Sequence, residues 1–173
     1  MLFDLGGVVV DVDPGSSPLI DLGLKDAMDV GRIGGEEALA RTGQDPAGVL
    51  AAWNAMLRVR PEVVALIRRL SVEVRCAVLS NTDPLHAAWI QSATALDGAI
   101  SAWVFSFELG LLKPDPAIWA PTLERLDAVA PEVVLVDDRA DNLQSAIDAG
   151  LGGVLYTTFD DVCAALRDFG LPS

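Results

Sequence analysis

The sequence predicts an α/β fold, in which a doubly wound, parallel, Rossmann-like sheet carries a small helical cap insertion. Two observations predict it. Short apolar runs without polar alternation recur along the chain, as in strands that are buried on both faces. Segments with apolar residues at helical spacing lie between these runs, and strands that alternate with helices favour a parallel sheet.

The apolar runs define five predicted strands, and polar residues follow each of them. The strands are expected at residues 2–3, 76–79, 102–105, 133–136 and 153–156. In a doubly wound sheet the functional site lies at the carboxyl ends of the strands. The polar residues that follow the runs are therefore the candidates for function.

The helices of the predicted core have apolar residues at helical spacing, and three of them begin with Pro at a first helical position. They are expected at residues 61–70, 84–90, 116–126, 140–149 and 159–169.

Between the first two strands of the sheet, the chain contains no run typical of a strand. Short helices are expected there at 19–28, 36–41 and 47–57. We therefore predict a core domain of residues 1–13 and 61–173, and a reduced helical cap of residues 14–60.

Composition limits the classes of partner. The 173 residues include 12 Lys and Arg against 25 Asp and Glu, a net charge of −13. This acidity argues against nucleic acid, whose binding needs a basic face, but not against a small phosphate ester. No apolar run is long enough to span a membrane, no signal peptide is evident, and Cys76 and Cys163 form no paired motif. A cytoplasmic location is the expectation.

The polar residues at the predicted strand ends form a chemical pattern. Carboxylates, one lysine and one hydroxyl would meet there, and hard oxygen ligands suit Mg²⁺, which in turn neutralises phosphate oxygens. The sequence therefore predicts a site for Mg²⁺ and phosphate. Its candidate residues are Asp4, Ser80, Asn81, Lys113, Asp137, Asp138 and Asn142.

Four segments resemble, in order, the motifs of the haloacid dehalogenase-like (HAD) hydrolases. They are residues 3–8 (FDLGGV), 79–82 (LSNT), 110–116 (GLLKPDP) and 137–142 (DDRADN). Within this superfamily the chain is most similar to the glucose-1-phosphatase-like branch. The resemblance implies a Mg²⁺-dependent phosphomonoester hydrolase, with sugar phosphates among its candidate substrates.

The resemblance also implies catalytic roles. Asp4 matches the nucleophile that forms an aspartyl-phosphate intermediate. Lys113 matches the lysine that steadies the nucleophile and the phosphate. Ser80, with Asn81 beside it, matches the group that binds phosphate.

The same resemblance implies a metal site. Asp4 would contribute one carboxylate oxygen, and Gly6 would contribute its backbone carbonyl. Asp138 matches the direct carboxylate ligand, while Asp137 and Asn142 would act directly or through water.

Gly6 departs from the common pattern, because most phosphatases of this superfamily carry a general acid Asp at that position. General acid help is typically worth 10²–10⁴-fold in rate. We expect a preference for good leaving groups, with p-nitrophenyl phosphate or a sugar 1-phosphate turned over faster than a simple alkyl phosphate. Substitute proton donors could be His86, Asp11 or Asp13, although a structural His86 and solvated loop carboxylates are the plainer interpretations.

Other hypotheses stay open on the sequence alone. A HAD-fold protein with little activity could bind phosphate or a partner, because Gly6 replaces the usual acid and the cap is short. A signalling receiver domain has similar residues but places its acidic pair early in the chain. A metal-free dehalogenase would not need the acidic pair. Trp53, in the cap, is a candidate for the substrate pocket.

Overall fold

The computed structural model of the protein describes residues 1–13 and 15–171. The strands in this part of the chain are β1 Leu2–Phe3, β2 Val10–Val12, β3 Leu57–Val59, β4 Cys76–Ser80, β5 Ile100–Phe105, β6 Val134–Asp137 and β7 Gly152–Leu155. Its α-helices are α1 Pro18–Asp21, α2 Leu24–Asp29, α3 Gly35–Arg41, α4 Pro46–Asn54, α5 Pro61–Leu70, α6 Pro84–Thr94, α7 Ser106–Leu109, α8 Trp119–Leu126, α9 Ala140–Asp148 and α10 Phe159–Asp168. The predicted cap boundary at Pro14 and the last two residues of the predicted core, Pro172 and Ser173, lie outside the described residues.

Five strands form one parallel sheet in the order β5-β4-β1-β6-β7, which confirms the predicted fold class. The short strand β1 lies at the centre, where Leu2 is in register with Ala77 on one side and with Leu135 on the other. The backbone N–H of Asp4 donates to the carbonyl of Val136 at 2.9 Å. Asp4 therefore sits at the carboxyl edge of the sheet.

The two faces of the sheet are both covered. Because successive side chains of a strand point to opposite faces, Leu2 and Phe3 contribute to different hydrophobic clusters. Phe3 packs in the cluster that contains Val78, while Leu2 packs in the cluster that contains Leu135. Burial on both faces is the physical reason for the continuous apolar runs in the sequence.

The segment between β1 and α5 differs from the prediction. Residues 57–59 form a strand, β3, that pairs antiparallel with β2, and the helix expected at 47–57 ends earlier, at Asn54. The helix expected at 19–28 is two helices, which are separated at Gly23, where φ is 65°. The sequence did not show the β2–β3 ribbon because its two strands are more than 40 residues apart.

Helices α1–α4, which we call the cap helices, bury a hydrophobic cluster of their own. Its members are Leu19, Leu24, Met28, Ile33, Ala38, Leu39, Val49, Trp53 and Met56. A hydrogen bond at 2.7 Å, from the Ser106 hydroxyl to the carbonyl of Asp29, ties the end of α2 to the carboxyl end of β5. Among the described residues, no helix combines the length and the hydropathy that a membrane crossing needs.

Candidate active site

The carboxyl edge of the sheet brings together most of the side chains that the sequence singled out. Asp4 follows β1, Asp137 ends β6, and Asn142 lies in the first turns of α9. Lys113 lies in the loop that follows α7. Asp4, Lys113, Asp137 and Asn142 are all buried, so this edge holds a cluster of polar side chains within the protein.

Lys113 is the electrostatic centre of the site. Its ammonium nitrogen, Nζ, lies 2.6 Å from Oδ2 of Asp137 and 3.2 Å from Oδ1 of Asp4. It also donates to the carbonyl of Leu79 at 3.0 Å. A buried charge needs such partners, because burial without them is very costly.

Asn81 fixes the position of Lys113. Its side-chain amide donates to the Lys113 carbonyl at 2.7 Å, and its side-chain oxygen accepts from the Lys113 N–H at 2.8 Å. Both ends of the Asn81 side chain thus hold the lysine loop. The predicted role of Asn81 in phosphate binding stays a prediction, and its observed contact is a positioning one.

The Asp4 carboxyl is held in a strongly perturbed environment. Burial raises its pKa to about 6, and the nearby Asp137 adds to the rise, whereas Lys113 and the hydrogen bond from the Leu5 N–H oppose it. That N–H donates to Oδ1 of Asp4 at 2.7 Å. The carboxylate form of Asp4 would therefore gain from a further positive charge.

Asp137 is bound on every side. Its Oδ1 accepts from the Arg139 N–H at 2.9 Å, and the Asn142 amide lies within 3.1 Å of both its carboxylate oxygens. Together with the Lys113 contact, these bonds orient Asp137 rigidly. The side-chain oxygen of Asn142 is buried and has no hydrogen-bond partner in the described structure.

The acidic cluster fits a divalent cation. Asp4, Asp137 and Asp138 each offer an oxygen, and the three oxygens lie within 4.8 Å of one another. Burial, with the Asp137 charge, raises the pKa of Asp138, whereas Lys113 and Arg139 oppose the rise. The unpartnered oxygen of Asn142 adds a neutral ligand to this set. Oxygen donors of this kind are the ligands that Mg²⁺ prefers.

Two glycines shape the site. Gly7 has a φ of 77°, and a Cβ there would lie 2.1 Å from Oδ2 of Asp138, so only glycine leaves room for that carboxylate. Gly6, the position of the missing general acid, is different. A Cβ at Gly6 would meet only Cγ2 of Val12, at 3.4 Å, which is ordinary contact.

A cavity of about 620 Å³ opens beside Asp4, and it includes residues that the sequence analysis missed. Lys25 and Asp29 of α2 line it, and so does Arg60. Arg60 donates to the Gly7 carbonyl at 2.6 Å and to Asp11 at 2.9 Å. No signal in the sequence linked these residues to Asp4, because their placement depends on how the cap helices fold back.

The proposed substitute acids lie in different settings. Asp11 and Asp13 are both exposed, but only Asp11 lines the cavity, where it forms an ion pair with Arg60. His86 is buried and stacks on Trp53 with ring centroids 4.3 Å apart. Its Nε2 lies 3.0 Å from the Trp53 carbonyl, so His86 has a structural contact to the cap helices.

A second cavity of about 340 Å³ adjoins the first, and Ser80 and Trp53 both line it. Ser80 is buried at the end of β4. Trp53 thus lines a cavity next to the candidate site, as the sequence analysis suggested.

A parallel α/β sheet with an acidic cluster and a buried lysine at its carboxyl edge is the arrangement expected of a HAD-like protein. A family model of haloacid dehalogenase-like hydrolases matches residues 22–150, which is most of the chain. The chain therefore belongs to the haloacid dehalogenase-like hydrolase family, and the superfamily inferred from the motifs is confirmed.

Two curated relatives match parts of the chain. Flavin mononucleotide hydrolase 1 of Arabidopsis thaliana is 31% identical over 74 residues, which are 42% of this chain and 30% of that protein. Bifunctional epoxide hydrolase 2 of Rattus norvegicus is 38% identical over 63 residues, which are 36% of this chain and 11% of that protein. The matched part of the chain thus spans less than a third of either relative.

Among solved structures, a HAD family enzyme of Bacteroides thetaiotaomicron in complex with magnesium superposes with a TM-score of 0.82 at 20% identity, over 96% of each chain. The same enzyme in complex with magnesium and inorganic phosphate gives a TM-score of 0.80 over 93% of this chain and 96% of that one. This likeness shows that the two proteins share the fold.

Proposed function

We propose that the protein is a Mg²⁺-dependent phosphomonoester hydrolase that acts on small-molecule phosphate esters. One observation carries the proposal: Asp4, Asp137 and Asp138 have carboxylate oxygens within 4.8 Å of one another, and the buried Lys113 contacts Asp4. The family and the Bacteroides enzyme, solved with magnesium and phosphate, support it. Asp4, Gly6, Asp137, Asp138 and Asn142 would hold the ion, which would neutralise phosphate oxygens when bound.

Asp4 is the proposed nucleophile. One carboxylate oxygen attacks phosphorus, the bond to the leaving oxygen breaks, and that oxygen leaves as an alcohol once it has gained a proton. Water then attacks the aspartyl-phosphate, which releases inorganic phosphate and restores Asp4. Lys113 holds Asp4 in place and stabilises the charge on the phosphate. The predicted contact of Ser80 with the phosphate stays a prediction, because Ser80 lines the second cavity.

The absence of an acid at Gly6 shapes the proposed substrate range. Without a proton donor at that position, esters with stable leaving oxygens react best. The resemblance to the glucose-1-phosphatase-like branch adds sugar 1-phosphates as candidates, since an anomeric oxygen leaves more easily than an ordinary alkoxide. A simple alkyl phosphate is the expected poor substrate.

Steady-state hydrolysis of p-nitrophenyl phosphate tests the function. We expect turnover with Mg²⁺, loss of turnover with EDTA, and a loss of at least about 10³-fold in kcat for Asp4→Asn, since the nucleophile is then absent. Asp141→Asn is the matched control, because Asp141 is exposed and its carboxylate contacts the Arg139 guanidinium and the Asn142 N–H. The side-chain oxygen of an asparagine can still accept from that N–H. Hydrolysis that persists in Asp4→Asn, or a hydrolysis rate that EDTA does not change, would overturn the proposal.

The second candidate is a HAD-fold protein that binds phosphate with little turnover, and Gly6 is the observation that favours it. Hydrolysis assays with several phosphate esters, with and without Mg²⁺, separate the two functions. Saturable binding of Mg²⁺ and inorganic phosphate by calorimetry, without hydrolysis of any ester, would favour the binding protein.

A further inference from the structure

We propose that the second cavity is the leaving-group site and that it selects phosphate esters of apolar or aromatic alcohols over sugar phosphates. This inference rests on the proposed hydrolysis and narrows its substrate range, because it removes the sugar 1-phosphates from the candidates named above. The cavity has a volume of about 340 Å³, within the range of small-molecule pockets. It shares Gly6, Val12, Lys25 and Asn81 with the cavity that contains Asp4. A phosphate beside Asp4 therefore places its ester group toward the second cavity.

The walls of the second cavity are mainly apolar. They come from the ribbon, the cap helices and α6, and include Val12, Ile20, Trp53, Met56, Leu57 and Ile90. The β2–β3 ribbon, the cap helices and α6 thus surround the same apolar cavity. An apolar group that enters this cavity is transferred out of water, and this transfer favours its binding.

The polar groups of this cavity are largely engaged with one another. Asp83 accepts from the Trp53 indole N–H at 3.2 Å and from the N–H groups of Leu85 and His86 at 2.9 and 3.0 Å. The His86 ring contacts the Trp53 carbonyl at 3.0 Å, and the Asn81 amide holds the Lys113 backbone. These groups are the walls of the cavity and are not free to bind a ligand.

A sugar would meet few partners in this cavity. Lys25, which pairs with Asp29, and the hydroxyl residues Ser80 and Thr82 are the remaining polar lining. A polyhydroxylated leaving group has several hydroxyls to satisfy, and each that loses water without gaining a partner weakens binding. The same cavity accepts an alkyl or aryl group without that loss.

Exposed apolar side chains mark the mouth of the cavity. Val12 and Ile20 are 48% and 40% exposed, although both are large and apolar. Both line the second cavity, one from β2 and one from α1. Apolar side chains that gather at the opening of a pocket are typical of a ligand-binding surface.

A series of 4-alkylphenyl phosphates, from hydrogen to butyl, tests the proposal, because the acidity of the leaving phenol barely changes along it. We expect kcat/KM to rise by about fourfold for each buried methylene, mostly through a lower KM. Glucose 1-phosphate should have a kcat/KM at least about tenfold below that of the butyl member. A flat or falling series, or a preference for glucose 1-phosphate, would overturn the inference.

Variants localise the effect. Val12→Thr and Ile20→Thr, combined, place hydroxyls at the mouth of the cavity on exposed positions, where the fold tolerates them. We expect the rise in kcat/KM per added methylene to be smaller in this variant and unchanged in Val129→Thr. Val129 is the control because it is 60% exposed and does not line the cavity. An unchanged increment in the double variant would place the alkyl group elsewhere.

A binding measurement separates this inference from the proposed reaction. Calorimetry with 4-alkylbenzylphosphonates, which are not hydrolysed, reports the same increment in Kd. If no ester is turned over but Kd still falls along the series, the hydrolase proposal fails and the apolar site stands. If esters are turned over while neither KM nor Kd follows the alkyl length, the apolar site fails and the hydrolase stands.

Discussion

At the scale of single residues, the chemistry depends on how a few polar atoms are held. Lys113 is placed by the Asn81 side chain and contacts both Asp4 and Asp137. Asp137 is placed in turn by Asn142 and the Arg139 N–H. Each charged group is thus oriented before a ligand arrives, which lowers the reorganisation needed during a reaction.

Gly6 offers a gain-of-function test at this scale. A side chain fits there, since a Cβ would make only an ordinary contact with Val12. Gly6→Asp should raise kcat for a simple alkyl phosphate on the order of 100-fold, because a general acid is restored, and should change p-nitrophenyl phosphate much less. Gly6→Ala is the control for the added carbon. Equal alkyl phosphate rates in the two variants would argue against the leaving-group account.

Gly7 offers a loss-of-function test with a matched control. Gly7→Ala should weaken Mg²⁺ activation about tenfold or more, because its Cβ would displace the Asp138 carboxylate. Gly23→Ala carries a similar positive φ but meets no atom within 4 Å, so it should cost stability, roughly 1 kcal/mol, and spare the metal. Titration of the hydrolysis rate with Mg²⁺ measures the Mg²⁺ activation of both variants. Similar Mg²⁺ affinities in the two variants would contradict the proposed position of the ion.

The sequence predicted Asp4 and Asp137 because each stands at the end of a recognisable strand, and it predicted Lys113 from the motif at residues 110–116. Asp4, Lys113 and Asp137 converge at the strand ends as expected. Lys25 and Asp29 were not predicted, since a helical charged pair at spacing four is a common surface feature. Only the packing of α2 over the sheet brings this pair to the cavity.

At the scale of elements, the cap helices are joined to the core by polar contacts at the ends of β4 and β5. Ser106 contacts the Asp29 carbonyl, and Asp83 binds the Trp53 indole while it caps the start of α6. The sequence predicted α6 from its Pro and from apolar residues at helical spacing. It did not predict the contact with Trp53, because an Asp that caps a helix has the same sequence pattern whether or not it also binds a distant indole ring.

Asp29, on α2, predicts a pH dependence of stability. Burial raises the pKa of its carboxyl, with contributions from Asp83 and Asp26, while Lys25 opposes the rise. A folded-state pKa above the unfolded value means that Asp29 favours folding most at pH below the unfolded value. That contribution is lost as the pH rises through the folded-state pKa.

The comparison of Asp29→Asn with the wild type isolates this effect. The free energy of unfolding of the wild type, relative to that of the variant, should decrease as the pH rises from 4 toward neutrality. Urea denaturation at several pH values, with EDTA present, measures the difference. A difference that stays constant, or that grows with pH, would show that Asp29 is not held in this environment.

At the scale of the whole molecule, the parallel sheet follows directly from the sequence. Runs such as 133–136 are apolar throughout because both faces of the sheet are covered. A short stretch of sequence is therefore enough to predict a strand that is buried on both faces. The β2–β3 ribbon and the break at Gly23 depend on contacts between distant parts of the chain. The site residues divide in a similar way. The sequence pointed to Asp4, Lys113 and Asp137 in the core and to Trp53 in the cap, whereas only the fold brings Lys25 and Asp29 to the cavity.

The most direct test of the central claim is the transfer of phosphate to Asp4. Wild-type protein is mixed with Mg²⁺ and ³²P-labelled phenyl phosphate, quenched in acid during turnover, and digested for peptide mapping. The account predicts acid-stable, hydroxylamine-labile label on the peptide that contains Asp4, and none in Asp4→Asn. Label on another residue, or turnover by Asp4→Asn at the wild-type rate, would contradict it.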